Sequence, residues 1–191
     1  MHPRSWRQHL TSSFNPQSEI PNPQLLRLFA YGTLKRGFWN HDRFCQGFLS
    51  VEDAVVHGSL FETSSGIPVL QVPEENILAV GTTNPLADVA TQAHFAARLF
   101  KPQSTITNPQ YEGEPWDPVY GELLTFDDPE TRLPSIDRLE GFHPGGPCLY
   151  RWVLVPVQVN GANLPAWLYV SEDPISGRLT PLGGSRWHRK P

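Results

Sequence analysis

Proline recurs about once in every ten residues of this chain, 20 times in 191, and that spacing limits what it can fold into. Inside a helix, proline removes a hydrogen bond and its ring meets the preceding turn, at a cost of about 3 kcal/mol. Long helices therefore have little room. The expected product is many short strands joined by stiff turns. The prolines are also unevenly spread, for residues 24–67 contain none. A segment that must offer successive backbone N–H groups belongs in such a gap, because proline has no N–H to give.

Patterning fills in the elements. Residues 1–24 are polar, with Pro16, Pro21 and Pro23, and read as a leader. Leu25–Tyr31 is the first strand, and its continuous apolar run implies burial on both faces. Val55–Phe61 follows, with Gly58 marking a bulge or a close backbone approach. Val69–Val72 and Ile77–Gly81 come next. The period then changes. Leu86, Val89, Ala90, Ala93, Ala96, Ala97 and Phe100 form a helical stripe, with Asn84 as N-cap and Pro85 in the first helical position. Residues 101–117 read as a polar loop. Val119–Phe126 resumes strand character. Asp128-Pro129 and Pro134-Ser135 predict two short helix starts in succession, ended by Gly141. Residues 142–148 form a rigid turn. Leu149–Val159 and Pro165–Ser171 pair as a hairpin across Gly161-Ala162-Asn163. The fold class is α+β, a small mixed barrel-like sheet with a few helices, carried by one domain over residues 25–175.

Charge and composition exclude other classes. The net charge of −4 hides basic ends on an acidic body: residues 176–191 carry Arg178, Arg186, Arg189 and Lys190 and no acid. This basic tail reads as solubilising, or as folding back on the acidic body. Four charges without aromatic-basic alternation make a weak nucleic-acid footprint, so no nucleic-acid partner is expected. No apolar run reaches the roughly 20 residues of a membrane span, and no membrane partner is expected. The start lacks the apolar stretch of a signal peptide, which makes the cytoplasm the default compartment. Cys45 and Cys148 are too few for a disulfide framework.

Two segments could carry chemistry. Tyr31-Gly32-Thr33-Leu34-Lys35-Arg36-Gly37 follows the first strand. A glycine at a strand exit lets the backbone turn and aim N–H groups at a carboxylate or a developing oxyanion. Glu140, in Ile136-Asp137-Arg138-Leu139-Glu140-Gly141, ends a short apolar helix. The helix dipole disfavours a carboxylate there, and burial would raise its pKa towards that of a general base near neutrality. Each has a plain alternative, an ordinary turn and a surface glutamate. Asp137 reads as making a local hydrogen bond or a cap.

Taken in order, Tyr31 to Gly37, Gly58-Ser59-Leu60-Phe61, Tyr120-Gly121-Glu122-Leu123, Asp137-x-x-Glu140-Gly141, Tyr150-Arg151 and Ala166-x-x-Tyr169 resemble the gamma-glutamylcyclotransferase-like family, which includes gamma-glutamylamine cyclotransferases and AIG2-like proteins. The resemblance covers about residues 27–172. It implies a small mixed-sheet barrel with a cavity. By position it makes Tyr31, Gly32, Thr33 and Leu34 the loop that binds the γ-glutamyl part, and Glu140 the catalytic acid/base. It places Tyr169 near the pocket. Arg151 is a further pocket candidate, with a salt bridge as its other reading. The implied reaction closes a γ-glutamyl amine or related γ-glutamyl compound into 5-oxoproline, with no metal and no cofactor. The stretch 76–117 looks longer than the family's usual connection and reads as an insertion. It could cover the pocket, change the substrate or pack on a partner. The tails also lie outside the pattern.

Other readings stay open beside this one. The same cavity could bind a small amino-acid-like ligand without turnover. His41, Cys45, His143 and Cys148 could be imagined around a metal, but no paired C-x-x-C or H-x-x-x-H supports it. No G-x-S-x-G suggests a serine hydrolase. Trp39, just after the loop, could border the pocket, while Trp152 and Trp167 belong to the core or its rim. Nothing in the pattern speaks to oligomeric state.

Overall fold

The computed structural model describes residues 25–99, 116–143, 150–171, 179–182 and 185–188. The leader, most of the polar loop, and the part of the Gly/Pro-rich turn that holds Cys148 lie outside the described residues. In chain order the elements are β1 (Leu26–Ala30), α1 (Trp39–Phe44), β2 (Ser50–Glu62), β3 (Pro68–Gln71), a single 3-10 turn (Glu74–Asn76), β4 (Ala79–Val80), α2 (Pro85–Leu99), β5 (Asp117–Phe126), α3 (Pro129–Glu140), β6 (Tyr150–Val159), β7 (Ala162–Ser171) and β8 (Thr180–Pro181).

Five strands close on themselves in the order β2-β5-β1-β7-β6, and β6 returns to β2 at Gln158 opposite Val55. The β1–β7 pair is parallel, with Leu28 opposite Trp167, and the other barrel pairs are antiparallel. The molecule is thus the α+β mixed barrel that the patterning predicts. Closure removes free edges from the central strands. β2 is long enough to serve two neighbours. It pairs β5 from Ser50 to Gly58, then β3 from Ser59 to Glu62. At Gly58 a side chain would stand 2.4 Å from the Gln71 carbonyl oxygen, the close approach its glycine implied.

β1 is buried on both faces, as its apolar run requires. Phe29 and Tyr31 point to the strand-lined interior with Val56, Leu123, Val155 and Leu168. Leu26, Leu28 and Ala30 point outward under the helices, with Leu133, Ile136 and Trp152. α2 begins as its sequence predicts: Asn84 Oδ1 accepts from the Leu86 and Ala87 N–H groups at 3.1 and 3.2 Å. Gln92 then binds β1 twice, accepting from Arg27 N–H and donating to Leu25 C=O, both at 2.9 Å.

The expected pair of helix starts is instead one helix. α3 runs from Pro129 to Glu140 with the exposed Pro134 inside it. The lost hydrogen bond is tolerated because Leu133 and Ile136 are buried on one face. Arg132 also fixes the first turn, through Asp128 and the carbonyls of Phe44 and Gln46.

Described residues of the basic tail lie back on the barrel. β8 pairs the end of β2, and Leu182 N–H donates to Leu60 C=O at 2.9 Å. Trp187 is 3% exposed, stacks on Phe38 at 5.1 Å and donates its indole N–H to Glu62. Its carbonyl accepts from Lys35 Nζ at 2.9 Å. The loop after β1 is therefore clamped from the far end of the chain. Among the described residues no helix is long and apolar enough to cross a membrane.

Candidate active site

The loop leaving β1 is shaped by four neighbours. Gly32 passes so close to β3 that a Cβ there would lie 2.8 Å from Pro68 Cγ. α1 holds the loop from the other side. Asn40 Nδ2 donates to Thr33 Oγ1 at 2.8 Å, and His41 Nδ1 lies 2.9 Å from the Leu34 carbonyl. A carbonyl only accepts, so that nitrogen carries the proton. Glu122 of β5 takes both the backbone N–H and the guanidinium of Arg36. Lys35 is anchored on Trp187. Within this frame the N–H groups of Gly32, Thr33 and Leu34 make no hydrogen bond to another described residue.

Two connected cavities open beside the loop. The smaller, about 40 Å³, is lined by Tyr31, Gly32, Thr33, Leu34, Glu140 and Tyr169 among others. The larger, about 320 Å³, is lined by Asn40, Val69 and Leu139 among others. Thr33, Ile67, Glu140 and Tyr150 line both. The structure thus brings together six of the seven residues singled out in the sequence. The seventh, Arg151, does not line either cavity and pairs with Glu74. Strand alternation explains this: its neighbour Tyr150 is buried and faces the cavities, so Arg151 faces away. Trp39 is 57% exposed and lies in a separate outer groove of about 620 Å³ between α1 and α3, with Arg43 and Arg138.

Glu140 reaches the cavities because α3 stops there. Gly141 adopts φ 67°, and Phe142 N–H returns to Asp137 C=O at 2.9 Å, closing the helix end. Burial pushes the Glu140 carboxyl up to about 7. Among the described residues it has no hydrogen-bond or ion-pair partner to offset that cost. Burial, with a further contribution from Glu140, also raises the hydroxyls of Tyr31 and Tyr150. These tyrosines therefore stay neutral.

A family model described as gamma-glutamyl cyclotransferase, AIG2-like, matches residues 28–93 and 82–189. The chain belongs to this family. Its barrel is a gamma-glutamylcyclotransferase-like fold. No curated protein matches the chain. Among solved structures it is similar to an AIG2-like protein from Mus musculus, at 18% identity over 79% of this chain and 81% of that one, with a TM-score of 0.47. It is similar to YkqA from Bacillus subtilis at 19% identity and TM-score 0.47, covering 85% of this chain and 39% of that one. An uncharacterized protein from Pyrococcus horikoshii is 16% identical, with coverage of 81% and 85% and a TM-score of 0.42.

A second carboxylate stands one turn before Glu140. Asp137 accepts a hydrogen bond from the Tyr169 hydroxyl at 2.6 Å, a long-range bond to β7 in place of the local bond or cap its sequence position suggested. Tyr169 C=O in turn accepts from the Tyr31 hydroxyl at 3.0 Å. Loop, last barrel strand and α3 are thereby linked. Burial pushes Asp137 up to about 6; the Tyr169 bond lowers it, nearby Asp88 raises it and His143 lowers it. Tyr169→Phe removes that buried donor and should cost about 1–3 kcal/mol. The Asp137 carboxyl should also titrate higher. Chemical denaturation and a carboxyl NMR titration check the two effects.

Of the imagined metal set, Cys148 lies outside the described residues. His41 is held by the Leu34 carbonyl, and burial pushes the Cys45 thiol up to about 12. Among the described residues no group of three or more His, Cys, Asp or Glu is placed to hold a metal ion. Asn40 and Tyr150 are among the lining residues that sequence reasoning passed over. Tyr150 was signalled by alternation beside Arg151. Asn40 carried no signal beyond its closeness to the loop.

Proposed function

We propose that this chain is a gamma-glutamylcyclotransferase-like enzyme that converts a γ-glutamyl amine or related γ-glutamyl compound into 5-oxoproline and a free amine. The carrying observation is Glu140: a carboxyl of pKa about 7, without a partner among the described residues, lining both cavities beside the Gly32–Leu34 N–H groups.

The chemistry follows from these positions. Glu140 as carboxylate takes a proton from the substrate's α-ammonium. The freed amine attacks the γ-carbonyl carbon, and a five-membered ring forms. The γ-oxygen becomes an oxyanion, which the unengaged loop N–H groups stabilise; one such donor is worth about 3 kcal/mol. Glu140 then gives its proton to the departing nitrogen as the amide C–N bond breaks. The ring nitrogen loses its second proton, and the amine leaves as an ammonium. Because nucleophile and electrophile belong to one molecule, proximity supplies much of the rate. The neutral Tyr31, Tyr150 and Tyr169 surround the carboxyl without competing for its proton.

The test is 5-oxoproline release from a panel of γ-glutamyl amines, γ-glutamyl dipeptides and glutathione. Binding without turnover on the whole panel leaves only the reading of a ligand-binding protein. The base must be ionised to act, so kcat/KM should rise with pH through about 7. A profile that is flat from pH 5 to 8 would remove Glu140 as the base, since ionisation at about 7 must show inside that window.

A further inference from the structure

Asn40 is 8% exposed and lines the larger cavity. Its Nδ2 is used on Thr33, while its Oδ1 is buried with no hydrogen-bond partner among the described residues. Turning the amide over does not cure this. The Thr33 hydroxyl can donate to Oδ1 instead, and the Nδ2 group is then left over. Buried amide atoms are almost always satisfied, so a vacancy on a side chain that lines a cavity is a place for a ligand's polar group to reach with a small turn of the amide. The rest of that cavity offers mostly apolar surface, from Ile67, Val69, Leu139 and the Tyr150 ring. It meets the smaller cavity at Glu140, where the reading above places bond cleavage.

We propose that the larger cavity holds the amine half of the substrate, and that Asn40 is its specificity-determining residue. The amine half is then an apolar chain carrying a hydrogen-bonding group, such as a hydroxyl, that meets the Asn40 amide. This rests on the γ-glutamyl reading of the loop. The size agrees: about 320 Å³ lies at the lower end of small-molecule sites. The same amide fixes Thr33, so filling this cavity also steadies the loop that faces the γ-glutamyl part.

Two compounds separate the possibilities: a γ-glutamyl alkylamine, and its counterpart with the terminal methyl replaced by hydroxyl. The wild-type protein should release 5-oxoproline from the hydroxyl compound with kcat/KM about tenfold higher, the effect of one hydrogen bond. In Asn40→Leu the preference should vanish or invert. The ratio is taken within one variant, so it does not depend on how much of that variant is folded. Asn40→Ala replaces it should the leucine variant fail to fold. Equal kcat/KM in wild type, or an unchanged ratio in the variant, overturns the assignment. If wild type turns over neither compound, the cyclotransferase reading falls. Calorimetric binding of the same pair then decides Asn40 by itself: roughly tenfold tighter binding of the hydroxyl compound keeps it, and equal or absent binding overturns it.

Discussion

Glu140→Gln should lower 5-oxoproline release by about a hundred- to ten-thousandfold, the span that a positioned acid/base contributes. The substitution keeps size and shape while removing the exchangeable proton, so the γ-glutamyl ligand should still bind. The variant should also fold well, and pH shows why. The Glu140 carboxyl titrates at about 7 in the folded chain against an ordinary 4.5. Between these values the folded state holds a proton that the unfolded state has lost. The stability linked to that proton is full below pH 4.5 and is lost as pH rises through about 7. Asp137, raised to about 6, acts with the same sign over an overlapping window. Glutamine at 140 removes the larger part. At pH 8 the variant should melt no lower than wild type, and its melting temperature should change less between pH 5 and 8. Retained turnover, or a variant that unfolds at pH 8, would mean that Glu140 serves structure rather than proton transfer.

Gly121→Ala should destabilise the barrel by about 3 kcal/mol or more. A Cβ at this position would stand 2.4 Å from the Ala30 carbonyl oxygen and 2.6 Å from the Phe29 ring. The first contact is backbone, and it belongs to β1 within the closed sheet, so neither strand can simply give way. For a chain of this length such a loss lowers the melting temperature by roughly 6–12 °C. Ala30 is also the residue from which the Gly32–Leu34 loop departs, so under the proposed function turnover by the remaining folded protein should fall as well. Thermal denaturation at one pH with parallel assays checks both. An unchanged melting temperature would mean that β1 and β5 are not held as closely as the glycine suggests.

What was legible in the chain was whatever local chemistry determines. The unbroken apolar run of β1, the Asn84 cap of α2 and the helix-ending Gly141 each announce themselves within a few residues. The proline-free stretch coincides with β1, the loop, α1 and β2, where the barrel needs consecutive donors. α1 was missed because six residues hold too little periodicity to register. Asp128-Pro129 and Pro134-Ser135 both carry helix-start chemistry, and only packing, which buries Leu133 and Ile136 together, joins them into one helix. The return of Trp187 to Lys35 and Phe38 spans about 150 residues, and no short-range pattern encodes it. At the site, Glu140 and the loop carry a recognisable spacing. Asn40 becomes visible only when β3 and α1 are folded around the same space.

Intramolecular closure of a γ-glutamyl group leaves its signature in the products. Wild-type protein given a γ-glutamyl amine at pH 8 should yield amine and 5-oxoproline in equal amounts, with no free glutamate. Amine accompanied by free glutamate would show that water, not the α-amino group, attacks the γ-carbonyl, and would contradict the account.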